Sequence, residues 1–173
     1  MDLKRLWAVV LPAAAVIGAL TIVACGGSAG SASGTFGSGG ASLPRSLQGP
    51  TVQGGSYNLS TRTGKPTVVN FFASWCGACK SEATDLAAFA AAHPEVQFLG
   101  VAVNDQAPDT QAFLTKYGLH YPVVMDPNGT ISADWGVVGI PHTFFLDKSG
   151  KEQAFIVGAA SRAQFEQDLK SIR

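Results

Sequence analysis

Two cysteines, Cys76 and Cys79, stand three positions apart in the stretch NFFASWCGACKSE, residues 70–82. A thiol pair at that spacing can supply half of a metal site, close a stabilising disulfide, or exchange electrons with another disulfide. Its surroundings weigh between these. A run of β-formers, TVVNFF from Thr67 to Phe72, precedes the pair and a run of helix-formers follows it, so the cysteines fall at a strand-to-helix junction. There the unpaired N–H groups and dipole of the helix N-terminus favour a thiolate, which makes Cys76 the expected nucleophile. Cys79 lies one turn further along the same face, within reach of Cys76 and buried more deeply, as suits a thiol that resolves a mixed disulfide. The expected chemistry is thiol–disulfide exchange, which runs in either direction.

The competing readings have less behind them. A zinc site needs two more ligands, yet His93, His120 and His142 are the only histidines and no second C-x-x-C exists. A purely structural disulfide across so few residues would constrain the unfolded chain little. It stays open nonetheless, as part of a non-catalytic binding module with an unreactive pair. A peroxidase would need Thr and Arg around its cysteine, and neither surrounds Cys76.

The elements that must position the pair alternate. After TVVNFF, Gly77 to Ala92 reads as a helix and VQFLGVAV as a second buried strand, a βαβ start that implies parallel pairing. PDTQAFLTKYG reads as a helix stopped by Gly118, YPVVMD as a short strand, and DPNG as a turn before a short helix reaching about Gly136. HTFFLD and KEQAFIVG, joined by KSG, form an antiparallel hairpin, and SRAQFEQDLKSI is a closing helix with Ser161 as N-cap and Phe165 and Leu169 on one face. TVQGGSYNLSTRTGK is expected to hold a short hairpin. The fold class is α/β.

At 173 residues, with 46% hydrophobic and 14% charged residues, the chain is expected to form one globular domain. A net charge of +0 and the lack of any dense Lys/Arg stretch exclude a nucleic-acid partner. Lys4 and Arg5 precede an apolar run from Leu6 to Ala24, which reads as an export signal or as an uncleaved membrane anchor. Either places the domain outside the cytoplasm. Residues 26–42, GGSAGSASGTFGSGGAS, are expected to form a flexible tether without fixed structure. Ile22, Val23, Ala24 and Cys25 resemble a bacterial lipobox. That implies a signal peptide over 1–24, lipidation of Cys25 with a tether over 25–42, and a domain over 43–173 anchored to the cell membrane as a lipoprotein. It would also leave Cys76 and Cys79 as a pair.

VVNFFASWCGAC followed by GIPHTFFLDKSG resembles the thioredoxin superfamily and, within it, the exported TlpA/ResA-like thiol-disulfide oxidoreductases, over roughly Leu43 to Arg173. The resemblance implies a thioredoxin fold, a mixed central sheet flanked by helices, with an extra strand and helix inserted between Val103 and Pro141. It implies a cis Ile140–Pro141 bond facing the cysteines, with Ile140 and Pro141 binding an extended substrate peptide through the Ile140 backbone. Trp75 would cover one side of the thiol. Glu82 matches an acidic position beside the pair, although a solvated helix face beside Lys80 and Ser81 describes it as well, and Asn70 stands where thioredoxins carry a buried acid. His142 reads as a strand side chain. The implied activity is reduction of disulfides in exported proteins such as apocytochromes c, with a membrane-bound electron donor and no cofactor or metal; a disulfide-forming oxidant of the same fold is the alternative.

Overall fold

The computed structural model describes residues 32–35, 46–61 and 64–173. The signal segment, Cys25 and most of the tether lie outside them. The domain is built on β4 (Thr67–Phe72), flanked by parallel β5 (Gln97–Val103) and antiparallel β7 (His142–Leu146). Beyond β5 lies parallel β6 (Val123–Asp126), and beyond β7 lies antiparallel β8 (Glu152–Val157), giving a mixed sheet of the expected kind.

All six residues of β4 are buried, and their period-2 alternation serves two layers. Val68 and Phe72 face the helices α1 (Gly77–Ala92), α2 (Ala107–Tyr117) and α4 (Arg162–Leu169), packing with Leu86, Phe89, Phe113 and Phe165. Val69 and Phe71 face the opposite layer, where Leu47, Tyr57 and Trp135 close over them. Those three come from the neighbourhood of the hairpin β2 (Gln48–Pro50) and β3 (Ser56–Asn58) and from the end of the short helix α3 (Thr130–Asp134). A hairpin is present, but only its turn and second strand fall in the stretch that suggested it; its first strand, β2, ends at Pro50 just before that stretch begins. Phe89 is fully buried, stacked on Phe165 at 5.3 Å and edge-on to Phe98 at 5.4 Å, so one ring fastens α1 to α4 and to β5.

Two glycines are dictated by the packing. A Cβ on Gly100 would lie 2.8 Å from Val123 and 3.0 Å from Phe72, so β5 passes beneath the Phe72 ring only without a side chain there. Gly118 ends α2 in the left-handed region, at φ 70°, as expected of a helix stop. Between Val103 and Pro141 run α2, β6 and α3, a stretch that includes the extra strand and helix implied by the resemblance.

The tether departs from expectation at one place. Ala32–Thr35 forms a strand, β1, antiparallel to β8, with Ala32 opposite Val157 and Thr35 opposite Ala154. The edge of β8 offers a row of unpaired backbone groups, and backbone pairing needs no apolar side chains. The sequence ASGT carries no alternation to betray it. The full order is β1-β8-β7-β4-β5-β6.

Candidate active site

The chain leaves β4 at Phe72, turns through Ala73 to Trp75, and enters α1 at Gly77 with Cys76 as the N-cap in an extended conformation. Cys76 Sγ accepts the Cys79 backbone N–H at 3.1 Å, occupying one of the donors a helix start leaves unpaired. The two cysteines form a disulfide, with Cα atoms 5.3 Å apart. Cys79 is the more buried, 2% exposed against 7% for Cys76.

Across from the pair, the Ile140–Pro141 bond is cis, as the resemblance implied, and the Ile140 carbonyl oxygen lies 3.7 Å from Cys76 Sγ. Ile140 is half-buried, and Val138 two residues earlier is 91% exposed. Trp75 is 59% exposed. Its indole N–H donates to the Asn104 carbonyl at 3.1 Å, which fixes the ring beside Cys76. The structure thus brings Trp75, Cys76, Cys79, Ile140 and Pro141 to one end of the sheet. His142 is a buried strand residue whose ring stacks on Phe144 at 4.3 Å, and His93 caps α1 with its Nε2 2.9 Å from Glu166 of α4.

Glu82 does not face solvent. It is 2% exposed, one turn beyond Cys79 on the same helix. Its Oε1 accepts from Asn70 Nδ2 at 3.0 Å and its Oε2 from the Ala160 backbone N–H at 2.9 Å, while Asn70 Nδ2 also donates to Thr143 Oγ1 at 2.9 Å. Burial pushes the carboxyl from 4.5 up to about 7, against the opposing pull of the Ala160 and Asn70 hydrogen bonds. Neither partner is a cation, so desolvation wins. A group poised near neutrality can hold or release a proton behind the cysteines.

Two residues that build the site went unread in the sequence. Asp105 is 4% exposed and its carboxylate accepts from Ser74 N–H and Ser74 Oγ, both at 2.7 Å, from Gln106 N–H at 2.9 Å and from Thr110 Oγ1 at 2.9 Å. It ties the turn before Cys76 to the start of α2. Asn104 beside it adopts φ 48°, a conformation asparagine tolerates, and so aims its carbonyl at Trp75. The signal was the Asn-Asp pair ahead of a helix with Pro108 in its first turn.

A model of the redoxin family matches residues 38–170. The thiol-disulfide oxidoreductase ResA of Geobacillus thermodenitrificans is 28% identical over 124 residues, covering 70% of this chain and 71% of that protein. The thiol:disulfide interchange protein DsbE of Allochromatium vinosum is 34% identical over 110 residues, covering 63% and 60%. Among solved structures, a secreted Mycobacterium tuberculosis disulfide oxidoreductase superimposes with a TM-score of 0.67 at 28% identity, covering 73% of this chain and 96% of that one. With the disulfide at the helix start and the cis-proline facing it, the chain belongs to the redoxin family and is a thiol-disulfide oxidoreductase of the thioredoxin superfamily, of the ResA/TlpA kind.

Proposed function

We propose that this protein is an exported, membrane-anchored reductant of disulfides in other exported proteins, apocytochromes c among them. The Cys76 thiolate attacks one sulfur of a substrate disulfide; a mixed disulfide forms and the substrate's other sulfur leaves as a thiolate that takes up a proton. Cys79 then loses its proton and attacks Cys76 Sγ, releasing the second substrate thiol. Two electrons pass to the substrate, and the Cys76–Cys79 disulfide is left for a membrane-bound donor to reduce. Glu82, one turn behind Cys79, takes up the Cys79 proton. The Ile140 carbonyl and the exposed Val138 and Trp75 offer the substrate polypeptide a backbone partner and apolar contact.

The observation that carries the reducing direction is the buried carboxyl of Glu82 with no cation beside it among the described residues. Its negative charge disfavours a thiolate nearby and so favours the disulfide, and Gly77 and Ala78 between the cysteines add nothing that would stabilise the reduced form. Both lower the potential. We expect about −200 to −280 mV on equilibration with glutathione or dithiothreitol, well below the roughly −120 mV of a strong oxidant of this fold. A value above about −150 mV would reverse the direction and make the protein a disulfide-forming oxidant.

The anchored reading draws support from β1. Ala32 and His142 both pair with Val157, so β1 begins at the same end of the sheet as the cysteines. From Cys25 to Ala32 the chain can span at most about 25 Å. A lipid on Cys25 would hold the cysteine pair close to the bilayer, where a membrane-embedded donor works.

A further inference from the structure

Beside Trp75, on the side where α1 meets α2, lies a cleft of about 340 Å³. The indole forms one wall. Phe113, stacked on Phe72 at 5.1 Å, and Tyr117, 4.7 Å from Phe113, give it an aromatic floor. Three charged side chains stand at its edge: Lys80 on the first turn of α1, Lys116 on α2 with its ammonium 5.2 Å from the Tyr117 ring centre, and Asp109 at the start of α2. All three are exposed, and none forms an ion pair with another described residue. The cleft therefore carries one net positive charge over an aromatic floor, on a protein whose overall net charge is zero.

Its position fixes what reaches it. In the mixed disulfide the substrate cysteine is bound to Cys76 Sγ, and Trp75 is the residue next to Cys76. An extended chain advances about 3.3 Å per residue, so side chains two or three positions from the reacting cysteine arrive over the indole and the cleft beyond. A dithiol of low molecular weight has nothing to put there. We propose that this cleft is a substrate subsite, and that it selects polypeptides carrying an acidic side chain, with an aromatic neighbour, two or three residues from the target cysteine. The carboxylate lies between Lys80 and Lys116, and the aromatic ring rests on Trp75 and Tyr117. Because the lysines sit at the rim in water, their contribution is to capture and orientation and is sensitive to salt.

The subsite deepens the oxidoreductase reading and rests on it. The test compares two synthetic peptides with an internal disulfide, one bearing Glu-Phe beside its cysteine and one bearing Gln-Phe, as oxidants of the reduced protein. The acidic peptide is expected to react about threefold faster at low ionic strength, the scale of one exposed ion pair. That preference should vanish near 1 M salt, where the Debye length is about 3 Å. In Lys116→Glu it should fall to unity or invert, and in Lys116→Gln it should be intermediate. Exchange with dithiothreitol is recorded on every protein to normalise for the cysteine pair itself. Equal rates for the two peptides on the wild type, or a preference that survives Lys116→Glu, would overturn the subsite. A wild type that does not exchange even with dithiothreitol would overturn the underlying oxidoreductase reading instead.

Discussion

Replacing Glu82 by glutamine should change how stability depends on pH far more than it changes the fold. The carboxyl is pushed from 4.5 up to about 7 by burial, so between those values the native state holds a proton that the unfolded chain has released. Stability falls with pH wherever the native state binds more protons. The contribution is complete below 4.5, fades through the window and is gone above about 7. At about 1.4 kcal/mol per pH unit, roughly 3 kcal/mol rides on this one proton, a large share of the 5–15 kcal/mol of a typical domain. Glutamine fits the same network. Its carbonyl can accept from Ala160 N–H, and its amide can donate to Asn70 Oδ1 once the Asn70 amide turns over, with the Thr143 hydroxyl donating to the same oxygen. Urea unfolding of the oxidised protein at pH values from about 4 to 8 should show the wild type losing roughly 3 kcal/mol relative to Glu82→Gln. Asp147 does not confuse the comparison. Although burial pushes its carboxyl up, hydrogen bonds from Ser149, Gln153 and Lys151 hold it below its ordinary value of 3.8 on balance, so its contribution is lost only in acid and equally in both proteins. Wild-type and variant curves that run parallel within about 0.5 kcal/mol would refute the desolvation argument.

Three further outcomes are expected. In the reduced protein, Cys76 should alkylate with a pKa of roughly 6 to 8 and Cys79 with a higher one; a Cys76 reactive only above about 8.5 would remove the contribution of the helix start. Asp105→Ala strands the Ser74 N–H and the fully buried Thr110 hydroxyl, and should destabilise the domain by about 3 kcal/mol in urea, with Asp105→Asn recovering part of it. Mass spectrometry of the mature N-terminus should find a diacylglyceryl-cysteine at Cys25, whereas an intact leader would establish an uncleaved membrane helix.

Most of the elements were legible because their side chains carry a period. TVVNFF reads as a strand from its β-branched and aromatic residues rather than from any period, and Gly118 as a helix stop, since each rests on residues with strong backbone preferences. What escaped was held by polar or backbone groups. β1 is a run of small residues, ASGT, paired with β8, and Asp105 acts through four hydrogen bonds to partners up to 31 residues away in sequence. Glu82 was half legible. Beside Lys80 and Ser81 it looks solvated, yet the buried residues of α1 are Cys79, Glu82, Ala83, Leu86 and Phe89, a helical stripe at i, i+3, i+4, i+7 and i+10. A carboxyl on that stripe had to be buried and had to find donors.

The donor it finds explains the residue at 70. Val68, Asn70 and Phe72 share the face of β4 that meets α1, so the side chain at 70 points at the helix carrying the cysteines. Thioredoxins, by the resemblance, place their buried acid on this strand; here the acid is on the helix and the strand answers with an amide. With an acid at both positions, two carboxyls would meet at about the 3.0 Å that now separates Asn70 Nδ2 from Glu82 Oε1, and repulsion would keep at least one protonated at neutral pH. The amide avoids that conflict and supplies both N–H groups the pocket needs, one to Glu82 and one to Thr143. Moving the acid to α1 also puts it on the same rigid element as Cys79, one turn away, so its distance from that thiol is set by helix geometry rather than by how the sheet and helix pack. For the proton transfer proposed above, an acceptor carried by α1 would keep its register with Cys79 through the cycle from dithiol to mixed disulfide to disulfide.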